Sequence, residues 1–456
     1  MRMLCEHAIE SRSAFQRGSV LVIVLWVTLG LVTLAIYFAH SMSLELKGAQ
    51  NRVSSVAAEH AIHGARRYLG HLFTNNATNG VVPNLTGELP EFRVQGVPVG
   101  DSHYWLVGRG DLQTRVDLPV FGLIDENGKL NLNTATAEML EALPRMTPEL
   151  AGAIIDWRDE DSDSGEDGGA EDETYARLNP PRRAKNAPFE TVDELRLVYG
   201  MTTEVLFGED ANLNGVLDPN ENDGDLTLPY DNQDGRLDSG LFEYVTVYSQ
   251  VPGTRADGSA RVNITNQQGR QQLRTILSEQ FGDDRANEIL AAAGPGNIPS
   301  VLQFFVASGM TADEFVLIHT DISASNDPQP GLVNVNTAGE AVLACIPGIG
   351  LDHAPALVAH RAANPAALTS MAWVKDVLDG QAIAQAGRFL TDQSYQLTAD
   401  VVALGEHARG LRRTRFVFDT SDGTPKILFR RDLTSLGWPL GPEVRREIQL
   451  AMETLR

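Results

Sequence analysis

From Ser19 to Ala39 the chain reads S-V-L-V-I-V-L-W-V-T-L-G-L-V-T-L-A-I-Y-F-A, 21 residues without a charge. As a helix rising 1.5 Å per residue, this run covers about 31 Å, the thickness of a bilayer's hydrocarbon core. Arg17 precedes it and no basic residue follows until Lys47. That bias places the N-terminus inside and the rest of the chain outside. Beyond the run, Leu46, Ala49, Val53, Val56, Ala61, Ala65, Tyr68 and Leu72 recur at spacings near three and four, with no proline between them. The same helix is therefore expected to continue to about Leu72 with an apolar stripe along it. His60 and His63 fall on this helix and read as packing residues. A chain that begins this way must fold as a body hung from a membrane-anchored rod.

The run is too long for a secretory h-region and lacks a small-x-small exit. Its entry, Q-R-G-S-V-L-V-I, resembles a class III prepilin leader. The resemblance implies cleavage by a prepilin peptidase after Gly18, which frees Ser19. Pilins usually carry Glu at the fifth mature position, and here that position is Ile23. A carboxylate in lipid is costly unless paired, so a subunit with nothing above it does better without one. Of the two cysteines, Cys5 lies in the expected leader, leaving Cys345 as a lone buried thiol.

After a Gly/Asn/Thr-rich region (74–90), β-branched and aromatic segments bounded by glycines predict strands at Phe92–Val94, His103–Val107 and Thr114–Ile124. Strand character returns at Phe242–Ser249, Tyr395–Leu404, Arg412–Asp419 and Lys426–Arg431, and a helix is expected near Pro442–Leu455. The expected fold is α+β and pilin-like: a long N-terminal helix packed on an antiparallel sheet, interrupted by a large helical insertion. The divisions are 1–18 (leader), 19–72 (stalk), 73–125 (first part of the sheet), 126–390 (insertion) and 391–456 (rest of the sheet and terminal helix). The segment 242–249 is a candidate extra strand of the sheet.

The insertion repeats internally. L-N-L-N-T-A-T-A-E-M-L-E-A-L-P-R-M (130–146) aligns without gaps on V-N-V-N-T-A-G-E-A-V-L-A-C-I-P-G-I (333–349), in register to Arg158 and Arg361, and a weaker copy starts at V-N-I-T (262–265). Asn-Thr before Ala reads as a helix N-cap, with Thr134 and Thr337 as the capping residues. P-G-I-G (347–350) reads as a hairpin between helices. These units resemble helix-hairpin-helix and sterile-alpha-motif-like folds.

Net charge is −23, which opposes nucleic-acid binding. The acid is clustered: Asp159–Glu173 and Glu209–Asp238 together hold 18 of the 60 acidic residues, against Arg236 alone. Such clusters need disorder or bound cations. In the second, D-A-N-L-N-G-V-L-D-P-N-E fits the twelve-residue calcium loop D-x-[DN]-x-[DN]-G-x5-E at every specified position. Asp210, Asn212 and Asn214 would supply the first side-chain oxygens and Val216 its carbonyl. Asp218 takes the ninth position, and Glu221 closes the shell bidentately. D-N-Q-D-G-R-L-D (231–238) is a degenerate second loop, with Asp231, Asp234 and Asp238 as candidate ligands of a second ion. No flanking helix pair of the sensor kind is evident, so the expected role of Ca2+ is a structural clamp.

Taken in order, R-G-S-V-L-V-I-V-L-W-V (17–27), N-L-N-T-A (131–135), I-I-D-W-R-D-E-D (154–161), G-A-E-D (169–172), N-A-P-F-E-T-V-D-E-L (186–195), V-N-V-N-T-A (333–338) and S-Y-Q-L-T-A-D-V (394–401) resemble the general secretion pathway protein K family, the large minor pseudopilins of type II secretion. The resemblance implies a bacterial inner-membrane protein with its body in the periplasm and calcium sites in the insertion. It implies assembly with I- and J-type minor pseudopilins and the major pseudopilin at a filament tip, on the inner-membrane secretion platform. The region 203–330, with its extra helical unit, departs from the family pattern. Alternatives are a minor pilin of a type IV pilus and a membrane-anchored helix-hairpin-helix DNA receptor. No G-x-S-x-G, H-E-x-x-H or phosphate loop points to an enzyme.

Overall fold

The computed structural model describes residues 16–76, 92–110, 118–163, 168–255, 257–294, 296 and 298–454. Most of the expected leader, most of the 74–90 region, the start of the expected strand Thr114–Ile124 and the middle of the first acidic cluster lie outside the described residues. The stalk is one helix, Gln16–Asn76, of 61 residues, with Gly18 and Ser19 in its first turn. Its N-terminal part is long and apolar enough to cross a membrane, with a mean hydropathy of 2.6 and none of that stretch buried by protein.

Further along, Ala58, Ala61, Ile62, Ala65, Leu69, Leu72 and Phe73 are buried against the sheet. Of the expected stripe, Ala61, Ala65 and Leu72 lie in this packed face, with Tyr68 against it. Leu46, Val53 and Val56 are exposed, because the sheet first meets the helix near Ser54 and on an adjacent face.

The sheet comprises β1 (Val97–Val99), β2 (Ser102–Val107), β3 (Ile124–Asp125), β4 (Gln396–Gly405), β5 (Arg409–Asp419) and β6 (Lys426–Asp432). All pairings are antiparallel in the order β1-β2-β4-β5-β6, with β3 on β4 beyond the end of β2. Period-two alternation sends Leu397, Ala399, Val401 and Ala403 of β4 toward the stalk and Val402 and Leu404 to the opposite face. There Trp105, Val107, Leu440 and Val444 complete a second core under the terminal helix Gly441–Thr454. The hairpin joining β4 and β5 touches the stalk backbone. A Cβ on Gly405 would lie 2.1 Å from the Ser54 carbonyl oxygen, and one on Gly410 (φ +67°) would lie 2.3 Å from the Ser55 nitrogen.

The insertion leaves the sheet after β3 and returns at β4. It contains three units, each closed by a two-residue parallel ladder: Leu130–Asn131 with Val245–Thr246, Val262–Asn263 with Ile322–Ser323, and Val333–Asn334 with Leu390–Thr391. The repeated asparagine explains the repeat. Its amide oxygen accepts the N–H two residues on, at Asn133, Thr265 and Asn336, in each case at 2.9 Å. Arg361 reaches back to the carbonyls of Val335 (3.0 Å) and Ala338 (2.8 Å), as Arg158 does to those of Leu132 and Ala135.

Two local expectations are corrected. Thr134 and Thr337 do not cap helices: the caps are Thr136, whose hydroxyl accepts from Met139 N, and Gly339. Phe242–Ser249 is not a strand of the sheet. Leu241–Tyr244 forms a helical turn with Phe207 and Phe242 stacked at 5.1 Å, and only Val245–Thr246 is extended, as the closing ladder of the first unit.

Asp125 and Glu126 bind the insertion to the sheet. Asp125 accepts from Thr337 Oγ1 (2.6 Å), Asn127 N (2.9 Å), Asn334 Nδ2 (3.1 Å) and the Ser394 hydroxyl, and burial pushes its pKa up to about 6. Glu126 accepts from the hydroxyls of Thr398 (2.6 Å) and Thr246.

Candidate metal centres

The loop Asp210–Glu221 folds onto itself through its own carboxylates. Asp210 accepts from Asn214 N and Gly215 N (both 2.9 Å), and Glu221 from Ala211 N and Asp218 N (both 3.0 Å). Asp218 Oδ2 accepts from the side-chain amides of Asn212 (2.7 Å) and Asn214 (3.0 Å). Gly215 takes φ +70° at the sharp turn the motif requires, and Leu213 is held at φ +55°. Asp210, Asn214, Val216, Asp218 and Glu221 are all buried. Burial, with Asp210 next, pushes Glu221 up to about 8, and burial also raises Asp210 and Asp218.

Three carboxyls that resist ionisation, together with a buried Asn212 Oδ1 that has no hydrogen-bond partner, form an all-oxygen donor set. The residues fit a hard ion. Asp210, Asn212, Asn214, Asp218 and Glu221 would offer side-chain oxygens, and Val216 its carbonyl.

The loop is bolted to the sheet. Arg413, fully buried, pairs bidentately with Asp400 (2.9 and 2.8 Å) and donates to the carbonyls of Asn212 and Leu213 (both 2.5 Å). Arg109 donates to the same Leu213 carbonyl (2.8 Å) and pairs with Glu243 (2.7 Å). Burial opposes ionisation of Asp400, but Arg413 and Arg415 outweigh it and hold the carboxyl well below the usual range.

The degenerate loop is arranged differently. Asp231 spends its oxygens on the amides of Asp223 (2.8 Å), Gly224 (2.9 Å) and Gln233 (2.8 Å). Asp234 accepts from Arg236 N, and Asp238 lies 3.8 Å from Arg145. Nothing draws these three onto one centre.

A second candidate centre lies in the first acidic run, where no motif spacing marks it. Among the described residues, Asp159, Asp161 and Glu171 form the group of three whose oxygens lie within 4.8 Å of one another; the carboxylates of 210–221 are not gathered so tightly. Glu171 is 6 % exposed, and neither of its oxygens has a hydrogen-bond partner. Burial and then Asp156 raise its pKa, and burial followed by Asp161 raises that of Asp159. Gly169 shapes the site: a Cβ there would lie 1.7 Å from Asp156 Oδ2.

Residues 128–207, which contain this second centre, match the family described as type II secretion system (T2SS), protein K. Over those residues the chain is similar to the type II secretion protein K family. The protein K match covers the first part of the first unit of the insertion and stops short of the 210–221 loop. No curated protein matches the chain. Among solved structures, the GspK-GspI-GspJ complex from the type 2 secretion system of enterotoxigenic Escherichia coli aligns at 12% identity and a TM-score of 0.37, covering 82% of this chain and 96% of that one. A likeness that loose carries no argument.

Proposed function

We propose that this chain is a minor pseudopilin capping the tip of a type II secretion pseudopilus, where it initiates the filament together with I- and J-type minor pseudopilins. The observation that carries the reading is architectural. A protein K segment is inserted between β3 and β4 of a sheet carried on a helix of membrane-spanning length. An insertion of this bulk does not fit between subunits stacked at a rise of about 10 Å, close to one helix diameter, but it meets no obstacle at an end.

On this reading the apolar helix anchors the chain in the inner membrane and the body lies in the periplasm. Prepilin peptidase releases Ser19. The major pseudopilin and the inner-membrane platform are the further partners, and the work is structural, not catalytic. The insertion is taken as helix-hairpin-helix or sterile-alpha-motif-like units. They are stabilised by Ca2+ at Asp210–Glu221 and by a second ion at Asp159, Asp161 and Glu171. This second placement replaces Asp231 and Asp234, whose carboxylates cap turns, and Asp238, which faces Arg145. The charge of −23 speaks against the DNA-receptor alternative.

The test is co-expression of the chain with I- and J-type partners from one secretion operon. A stable ternary complex and gold label confined to filament ends are expected. Label along the shafts, or a native protein that still begins at Met1, would refute the proposal.

A further inference from the structure

Two features of the 203–330 region face solvent and have complementary chemistry. The first is a closed loop. Asp223 accepts from Thr227 N (3.1 Å) and Oγ1 (2.7 Å), and Asp231 takes the amides of Asp223 and Gly224, so the neck of residues 223–231 is pinned from both sides. The tip presents Leu226, Leu228 and Tyr230 at 82%, 73% and 63% exposure, flanked by Asp225 and Asp231. Large apolar side chains held outward on a pinned loop lose little entropy on docking.

The second feature is a cleft of about 420 Å³ in the middle unit, between helices Gln267–Phe281 and Asp283–Ala293. Its floor is apolar, with Ile264, Leu273, Leu290 and Phe304, and its rim carries Arg270 and Arg274 one turn apart. Arg270 is answered only by carbonyls, those of Gly294 (2.8 Å), Ile264 (3.4 Å) and Gly296. Arg274 is exposed and has no carboxylate partner among the described residues. In a chain of net charge −23, a cleft rimmed by two uncompensated guanidinium groups selects an acidic, apolar segment.

We propose that the 223–231 loop of one copy docks in the 264–304 cleft of a second copy. Leu226 and Leu228 would enter the apolar floor, while Asp225 faces Arg274. The contact is heterologous, and its small area makes it weak in solution and stronger where anchored copies are concentrated in a membrane. It is independent of the tip assignment and of calcium.

The test is sedimentation velocity of the purified full-length chain in detergent micelles over a concentration series. Circular dichroism would confirm that each variant is folded. Concentration-dependent self-association is expected. Leu226→Asp with Leu228→Asp should weaken it on the order of a hundredfold, and Arg274→Glu on the order of tenfold. Asp225→Arg combined with Arg274→Glu should restore it. A wild-type chain that stays monomeric to about 100 µM, where a transient contact of this size would show, overturns the proposal. So does association insensitive to the leucine changes, or one that the leucine changes abolish but Arg274→Glu leaves intact.

Discussion

Raising the pH of the calcium-free protein from 5 to 8 is expected to destabilise it, and Glu221 sets the size of the effect. Its pKa in the folded chain, about 8, lies above the ordinary value of 4.5, with burial as the main cause and Asp210 next. Between those two values the folded state holds a proton that the unfolded chain has released. The stability it contributes is therefore present at acid pH and is lost as the pH rises toward 8. At about 1.4 kcal/mol per pH unit, three units give a ceiling of about 4 kcal/mol. For a body of this size that is a fall in melting temperature of roughly 5–8 °C. Asp210 and Asp218 shift in the same direction and add to it.

Ca2+ bound as proposed should reverse the trend, because the ion takes the carboxylates in ionised form and its affinity rises as they deprotonate. At a hundredfold excess over Kd it contributes about 2.7 kcal/mol, and the gap between calcium and EDTA curves should widen from pH 5 to 8. Scanning calorimetry at four pH values in each condition measures this, with Glu221→Gln as the control that flattens the calcium-free trend. A calcium-free melting temperature that is level across the range, or a calcium shift of equal size at pH 5 and 8, would refute the reasoning.

Other outcomes follow from contacts already described. Arg413→Ala leaves the buried Asp400 carboxylate with Arg415 as its remaining arginine partner and takes the donor from the Asn212 carbonyl, while the Leu213 carbonyl keeps Arg109. It should cost about 3 kcal/mol in denaturant titration, the low end for a broken buried pair because Arg415 still faces the carboxylate. Gly410→Ala must force a Cβ against the stalk backbone at a positive φ. Limited proteolysis should then open the helix–sheet junction, while Gly100→Ala, also at positive φ but in open space, should cost only about 1 kcal/mol. Gly169→Ala drives a methyl into Asp156 and should abolish terbium luminescence from the Asp159/Asp161/Glu171 centre, leaving that of the 210–221 loop unchanged.

How much of this was legible in the sequence depended on whether the signal was periodic or positional. The strands over 103–107, 395–404, 412–419 and 426–431 were legible because β-branched and aromatic residues alternate there. The membrane-length run was legible by length and lack of charge. The stalk's packed stripe was half-legible: a run rich in Ala, Val and Leu on several faces offers more than one stripe, and only the sheet's position selects among them. Thr134 and Thr337 looked like caps because Asn-Thr-Ala is a common entry to a helix. In the fold, the preceding asparagine organises the turn, and the helix starts a few residues later. The 210–221 loop was legible as a spacing, but its attachment to Arg109 and Arg413, some hundred and two hundred residues away, was not. Asp159, Asp161 and Glu171 were visible only as acid. Their convergence depends on Gly169 permitting the close approach of Asp156, and no motif spacing records that.

The antiparallel pairing of Asp125 with Leu397 and of Ile124 with Thr398 brings the two ends of the insertion together as neighbours on adjacent strands. Such neighbours sit about 5 Å apart, so a short turn could join them. A chain with residues 126–395 excised would still have every strand of the six-stranded sheet, the stalk behind it and the terminal helix across it. Its buried asparagine clasps and the Asp210–Glu221 loop would leave as one piece. The large body is in that sense mounted on a minimal carrier, and the two could change independently.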